Sequence, residues 1–262
     1  MTRLLALRGA GAALIAGALL LLPATATAQT SRCADCHFAN VGASGSQMSA
    51  FAERHLEEWD HSPHARNNVG CEKCHGGDAT TFEAFRAHQG LLNSRNPASP
   101  INRANLPRTC GTCHTGPFVS FQKSKHYELL RGGNDDVPTC TTCHGEVGAH
   151  LLSPTALASR CSTCHGANGI APNTDRPADA RLLLTEVASV RGSLDEARGL
   201  IRRIRDAGRK AELEEEYRQA EVPLIEAVQA GHEFVYDNLR ERLALAATRA
   251  NALLERLANQ PR

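Results

Sequence analysis

Apolar residues recur late in the chain at the spacing of a helix. Leu183, Val187, Val190, Leu194, Ala197, Ile201 and Ile204 follow one another at alternating steps of four and three. Val235, Leu239, Leu243, Ala246, Ala250, Leu253 and Leu257 do the same with one irregular step. A near 3.5-residue repeat puts every member on one face of an amphipathic helix. Gly208 predicts an end to the first helix, and Pro223 predicts a kink or restart between the two stripes. The expected product over 177–262 is a long-helix hairpin or a three-helix bundle. Its stripe would either cap the rest of the molecule or join two copies as a homodimer.

The pattern before residue 177 is different. Residues 1–8 carry two arginines, residues 9–22 are small and apolar, and Ala26-Thr27-Ala28 follows Pro23. This is the order of a secretory signal peptide, expected over 1–28. The apolar run is short of the roughly 20 residues that span a bilayer. Residues 29–176 show no sustained period and are interrupted throughout by Gly, Pro, Ser and Asn. Aromatics are 4% of the chain, while ten cysteines and twelve histidines are present. Side chains alone would fill an interior poorly, so another group is expected to do so. The formal charge of +1 gives no argument for nucleic acid.

All ten cysteines fall into one motif. Cys33-x-x-Cys36-His37, Cys71-x-x-Cys74-His75, Cys110-x-x-Cys113-His114, Cys140-x-x-Cys143-His144 and Cys161-x-x-Cys164-His165 are five copies of C-x-x-C-H. This is the attachment motif of c-type haem: two thiols bond the haem vinyl groups and the histidine ligates the iron. Disulfides need no histidine after each second cysteine, zinc would leave one pair over, and a thioredoxin-like site would be single. Five covalent haems are therefore expected. The fold class is mostly α: a haem-packed domain with little regular structure over 29–176, then the helical domain over 177–262.

The sixth iron ligands must come from elsewhere. Met48 is the one methionine after the expected leader, so histidine has to supply most of them. Seven histidines lie outside the motifs: His55, His61, His64, His88, His126, His150 and His232. Ser62-Pro63-His64 precedes the second motif and Ser124-Lys125-His126 precedes the fourth in the same way. The stretches HSPHARNNVGCEKCHGG and KSKHYELLRGGNDDVPTCTTCHG read as two copies of one unit. His150 closes CHGEVGAH, and His88 lies upstream of the third motif.

With S-x-H before C-x-x-C-H-G, and C-H-G before G-x-H, residues 55–166 resemble the multihaem family of the tetrahaem cytochromes of ammonia oxidation and hydroxylamine oxidoreductase. The helical tail is similar to those of hydroxylamine oxidoreductase and pentahaem nitrite reductase. The resemblance implies that His64, His88, His126 and His150 are distal ligands of haems attached elsewhere in the chain. For the fifth, His55 ranks first, ahead of His61, which stands three residues before His64, and His232, on or beside the last apolar stripe.

The function expected is electron transfer between redox partners in the periplasm, where c-type haem is attached after export; attachment to a membrane complex and an extracellular place are alternatives. A membrane quinol-oxidising protein is a candidate donor. The alternative is an enzyme acting on a small nitrogen or sulfur compound at one open iron. Pentahaem nitrite reductases use C-x-x-C-K for this, and all five motifs here end in histidine. Hydroxylamine oxidoreductase crosslinks a tyrosine, and Tyr127, Tyr217 and Tyr236 stand in no matching context. No catalytic residue is assigned.

Overall fold

The computed structural model describes residues 31–39, 49–148 and 152–259. The expected leader, Met48 and His150 lie outside the described residues. Every regular element among those described is helical. Ten short helices come first: α1 (Arg32–Phe38), α2 (Ala50–Asp60), α3 (Pro63–Arg66), α4 (Glu72–His75), α5 (Ala84–Ala87), α6 (Leu106–Gly111), α7 (Thr115–Phe121), α8 (Lys125–Arg131), α9 (Cys140–His144) and α10 (Pro154–His165). Three long helices follow, α11 (Asp175–Arg202), α12 (Ala207–Ala230) and α13 (Tyr236–Ala258), with a 3-10 turn over Gly231–Glu233 before α13. The mostly α fold class is thus the observed one.

The long helices form a three-helix bundle. The stripe of α11 packs with Leu213, Tyr217, Ala220, Leu224 and Ala227 of α12 and Leu243, Ala246, Ala250 and Leu253 of α13. Leu194, Leu213 and Leu243 are at most 2% exposed. Each such side chain contributes about 1.5–3 kcal/mol by leaving water. Apart from Val235, which is exposed, both stripes pack within one chain, so neither needs a second copy to cover it.

Two boundaries differ from the expectation. Gly208 does not end the first helix. α11 stops at Arg202, and Asp206 caps α12 by accepting from the Arg209 amide at 2.6 Å, which leaves Gly208 inside the first turn. Pro223 does not break its segment either: it is buried within α12. A mid-helix proline frees the carbonyl four residues earlier. That carbonyl belongs to Gln219, and Arg249 of α13 donates to it at 3.1 Å. A tertiary contact restores what the local rule removes.

The short helices have little core of their own. Of the buried apolar side chains among the described residues, only Ala34, Pro107, Phe121, Leu130 and Val137 precede the bundle. This part is organised by turns and caps around the five motifs. It is joined to the bundle at α10, which packs on α11, and at α7, which packs on α12 and the 3-10 turn. Lys123 and Glu233 form an ion pair at 2.7 Å there, and Phe121 meets Phe234 edge to face at 6.2 Å. Phe234 ends the turn in the left-handed region, φ 57°, a conformation that costs a non-glycine residue about 1 kcal/mol or more.

Candidate haem-binding sites

Each C-x-x-C-H lies on one turn of helix. Cys74 and His75 both bond back to the Cys71 carbonyl, at 3.1 and 2.9 Å, and Cys113 and His114 do the same to Cys110, at 3.3 and 2.9 Å. In a helical turn, residues i, i+3 and i+4 share one face, so both thiols and the imidazole point the same way. The chain must then leave the turn abruptly. Gly76 and Gly145, directly after His75 and His144, do so at φ 81° and 74°. Only glycine takes that backbone without strain, a physical reason for C-H-G at these two motifs.

The motif histidines do not stand alone. His37 faces His88, with ring centres 6.1 Å apart. His75 faces His55 at 5.9 Å. His114 faces His64, His165 faces His126 and His144 faces His232, each at 6.1 Å. A metal bound by both rings at about 2.0 Å, with each nitrogen about 1.1 Å from its ring centre, would separate the centres by about 6.2 Å. All five separations fit that span.

Local sequence explains two of the facing histidines. Ser62 and Ser124 are helix N-caps, accepting from the amides of Ala65 at 3.2 Å and Tyr127 at 3.1 Å. Each hydroxyl also donates backwards, Ser62 to the Trp59 carbonyl at 2.6 Å and Ser124 to Phe121 at 2.7 Å. Both are at most 3% exposed. In S-x-H, then, the serine starts a helix and the histidine sits in its first turn, aimed by the cap. The two copies share a further relation. His64 precedes the second motif and faces the third; His126 precedes the fourth and faces the fifth.

The cap at Ser62 also separates His61 from His64. α2 ends at Asp60, and the His61 ring bonds the Glu57 carbonyl at 2.9 Å, so the two do not share a helix face as expected. His232 lies beside the last stripe, in the turn before the last helix, where its Nδ1 bonds the Val228 carbonyl at 3.0 Å. Of the sequence-selected distal set, His55, His64, His88 and His126 each face a motif histidine. His150 lies outside the described residues, and the ring facing His144 is that of His232. The sequence offered one clue to it, a Gly-His pair at the break between two long apolar segments.

At three of these rings electrostatics favour the neutral form. Burial, and then the facing ring, lowers the pKa of His37 (with His88), His75 (with His55) and His126 (with His165). A neutral imidazole is the metal-binding form. The thiols are unpaired. Burial, and then Cys33, pushes Cys71 up to about 11. Burial also raises Cys74, which feels Cys110 and Cys113, and Cys143, which feels Cys161. Cys110 donates to the Cys140 sulfur, which raises the first and lowers the second. The motifs are thus neighbours in chain order, first to fifth. Paired thiols, paired imidazoles and a missing apolar core all fit c-type haem.

The arrangement fits the binding of several c-type haems, and the chain is similar to known multihaem c-type cytochromes. Residues 95–166, which span the last three motifs, match the family described as cytochrome c7 and related cytochrome c. The chain is similar to the C-type polyheme cytochrome OmcC of Geobacter sulfurreducens, 27% identical over 130 residues. It is 31% identical over 135 residues to OmcB, a C-type polyheme cytochrome of the same species. These matches cover 47% and 48% of this chain but 15% of each relative. No solved structure matches the chain. Among the described residues, no helix is long and apolar enough to cross a membrane.

Proposed function

We propose that the protein is an exported pentahaem electron carrier with histidine on both sides of every iron. The observation that carries this reading is the opposition of all five motif histidines by five different second histidines. The pairs are His37 with His88, His75 with His55, His114 with His64, His144 with His232, and His165 with His126. Cys33, Cys36, Cys71, Cys74, Cys110, Cys113, Cys140, Cys143, Cys161 and Cys164 would hold the porphyrin edges. Haem iron, when bound, supplies one-electron chemistry without a substrate pocket. The protein's part is to place the rings, exclude a sixth ligand from solvent and set the charge around each site.

The enzyme alternative needs an iron with an open position, and this pairing leaves none. Partners would be a redox donor and acceptor, with a membrane quinol-oxidising protein as one candidate donor. Periplasmic residence follows from the leader and from haem attachment after export. The likeness to the tetrahaem cytochromes of ammonia oxidation rests on the S-x-H contexts, for which the buried serine caps supply a structural reason.

The test is a low-temperature electron paramagnetic resonance spectrum of the oxidised holoprotein, with its mass measured for covalent haem. Five haems and low-spin signals alone are expected. A high-spin signal from one site in five would overturn the carrier reading, and nitrite and hydroxylamine would then be assayed as substrates.

A further inference from the structure

The five facing histidines are held differently at Nδ1, the nitrogen turned away from the metal in a ring bound through Nε2. His88 bonds the Ala84 carbonyl at 2.7 Å, His64 the Val147 carbonyl at 3.3 Å and His232 the Val228 carbonyl at 3.0 Å. His55 and His126 depart from this pattern, since neither buried Nδ1 has a hydrogen-bond partner, and they differ in what stands beside the ring. Glu146 places a carboxylate oxygen 3.3 Å from His55 Nδ1. The carboxylate stands beside the ring without a hydrogen bond to it, and its side chain is 57% exposed. His126 Nδ1 is buried with no hydrogen-bond partner, and the Phe234 ring stands perpendicular to it at 4.6 Å.

We propose that Glu146 is a positioning residue for the second-motif site, and that it and Phe234 set the two ends of the potential order, with the His55 site lowest and the His126 site highest. This rests on the reading that each histidine pair holds an iron. An oxidised site carries one more positive charge than a reduced one. A carboxylate against the ligand favours the oxidised form through its charge; a carbonyl dipole does so less. A ligand without an acceptor, walled by an aromatic ring, gives the extra charge no support. Glu146 follows His144 by two residues, so the turn after the fourth motif supplies the charge that acts at the second. On reductive titration the fifth-motif site fills first and the second-motif site last.

The experiment is a spectroelectrochemical titration of the full-length holoprotein, with spin state followed by paramagnetic resonance. His55→Met and His126→Met each raise one component, because thioether ligation raises the potential, and so mark the two sites. In the parent protein the component marked by His55→Met is expected to be the lowest and that marked by His126→Met the highest. Glu146→Gln is expected to raise the same component that His55→Met marks, by about a tenfold change in its equilibrium (about 59 mV for one electron). Every iron stays low-spin, and Glu146→Asp keeps the component low. The inference is overturned if that component is not the lowest, does not move in Glu146→Gln, or turns high-spin there, which is a structural role. If His55→Met changes neither spin state nor any component, His55 is not a ligand, and the histidine pairing fails with the inference.

Discussion

The 3-10 turn before α13 carries a ring from the bundle to the haem-bearing part, and His232→Ala tests what that turn does. The substitution removes the ring that stands 6.1 Å from His144 and leaves the backbone of Gly231–Glu233 in place. No other described histidine is free to replace it. His55, His64, His88 and His126 each face their own partner, and His61 is tied to the Glu57 carbonyl. The expected loss is therefore one strong-field ligand at one of five sites. Paramagnetic resonance should show one high-spin iron beside four low-spin ones, and added imidazole should return it to low spin. Deleting residues 177–262 should do more, because it also takes away Phe234 from His126: one site turns high-spin and a second low-spin signal shifts. Covalent attachment should survive, since all ten thiols precede the deletion. His150→Ala is the control and should leave every site low-spin. Five low-spin signals in His232→Ala would refute the reasoning, and a high-spin signal in His150→Ala would move the ligand to His150.

Other consequences are open to measurement. Leu213→Ala, at a fully buried position of the bundle core, should cost about 2–5 kcal/mol of bundle stability in a denaturant titration followed by circular dichroism. Arg249→Ala should cost about 1 kcal/mol by the same assay, because it strips the donor from the Gln219 carbonyl that Pro223 leaves free. Ser62→Ala and Ser124→Ala should each cost about 1 kcal/mol as lost N-caps. Each should also broaden one low-spin signal, that of the His64 or the His126 site, whereas sharp unchanged spectra would mean that the caps do not aim the rings.

Much of this was legible along the chain because it depends on local spacing. C-x-x-C-H is a statement about one helical turn, and its i, i+3, i+4 geometry needs no other part of the protein. The apolar stripes announced the long helices for the same reason. S-x-H could be recognised as repeated, but its cause, a buried serine cap that aims the histidine, is visible only with the fold.

Pairing was beyond the sequence, because every facing histidine comes from a different turn of chain than the motif it meets. His64 reaches past the second motif to the third, and His232 reaches the fourth from the turn between the last two helices of the bundle. The stripes could not say whether they would cover each other or a second copy; packing within one chain consumed them. Pro223 looked like a break because the local rule counts only the lost hydrogen bond, and Arg249 of the neighbouring helix makes that bond good. The sequence by itself determined which residues can carry the chemistry, since that is a property of side-chain type and near spacing. The tertiary structure decided which of them meet, because contacts between distant turns follow from how the helices pack.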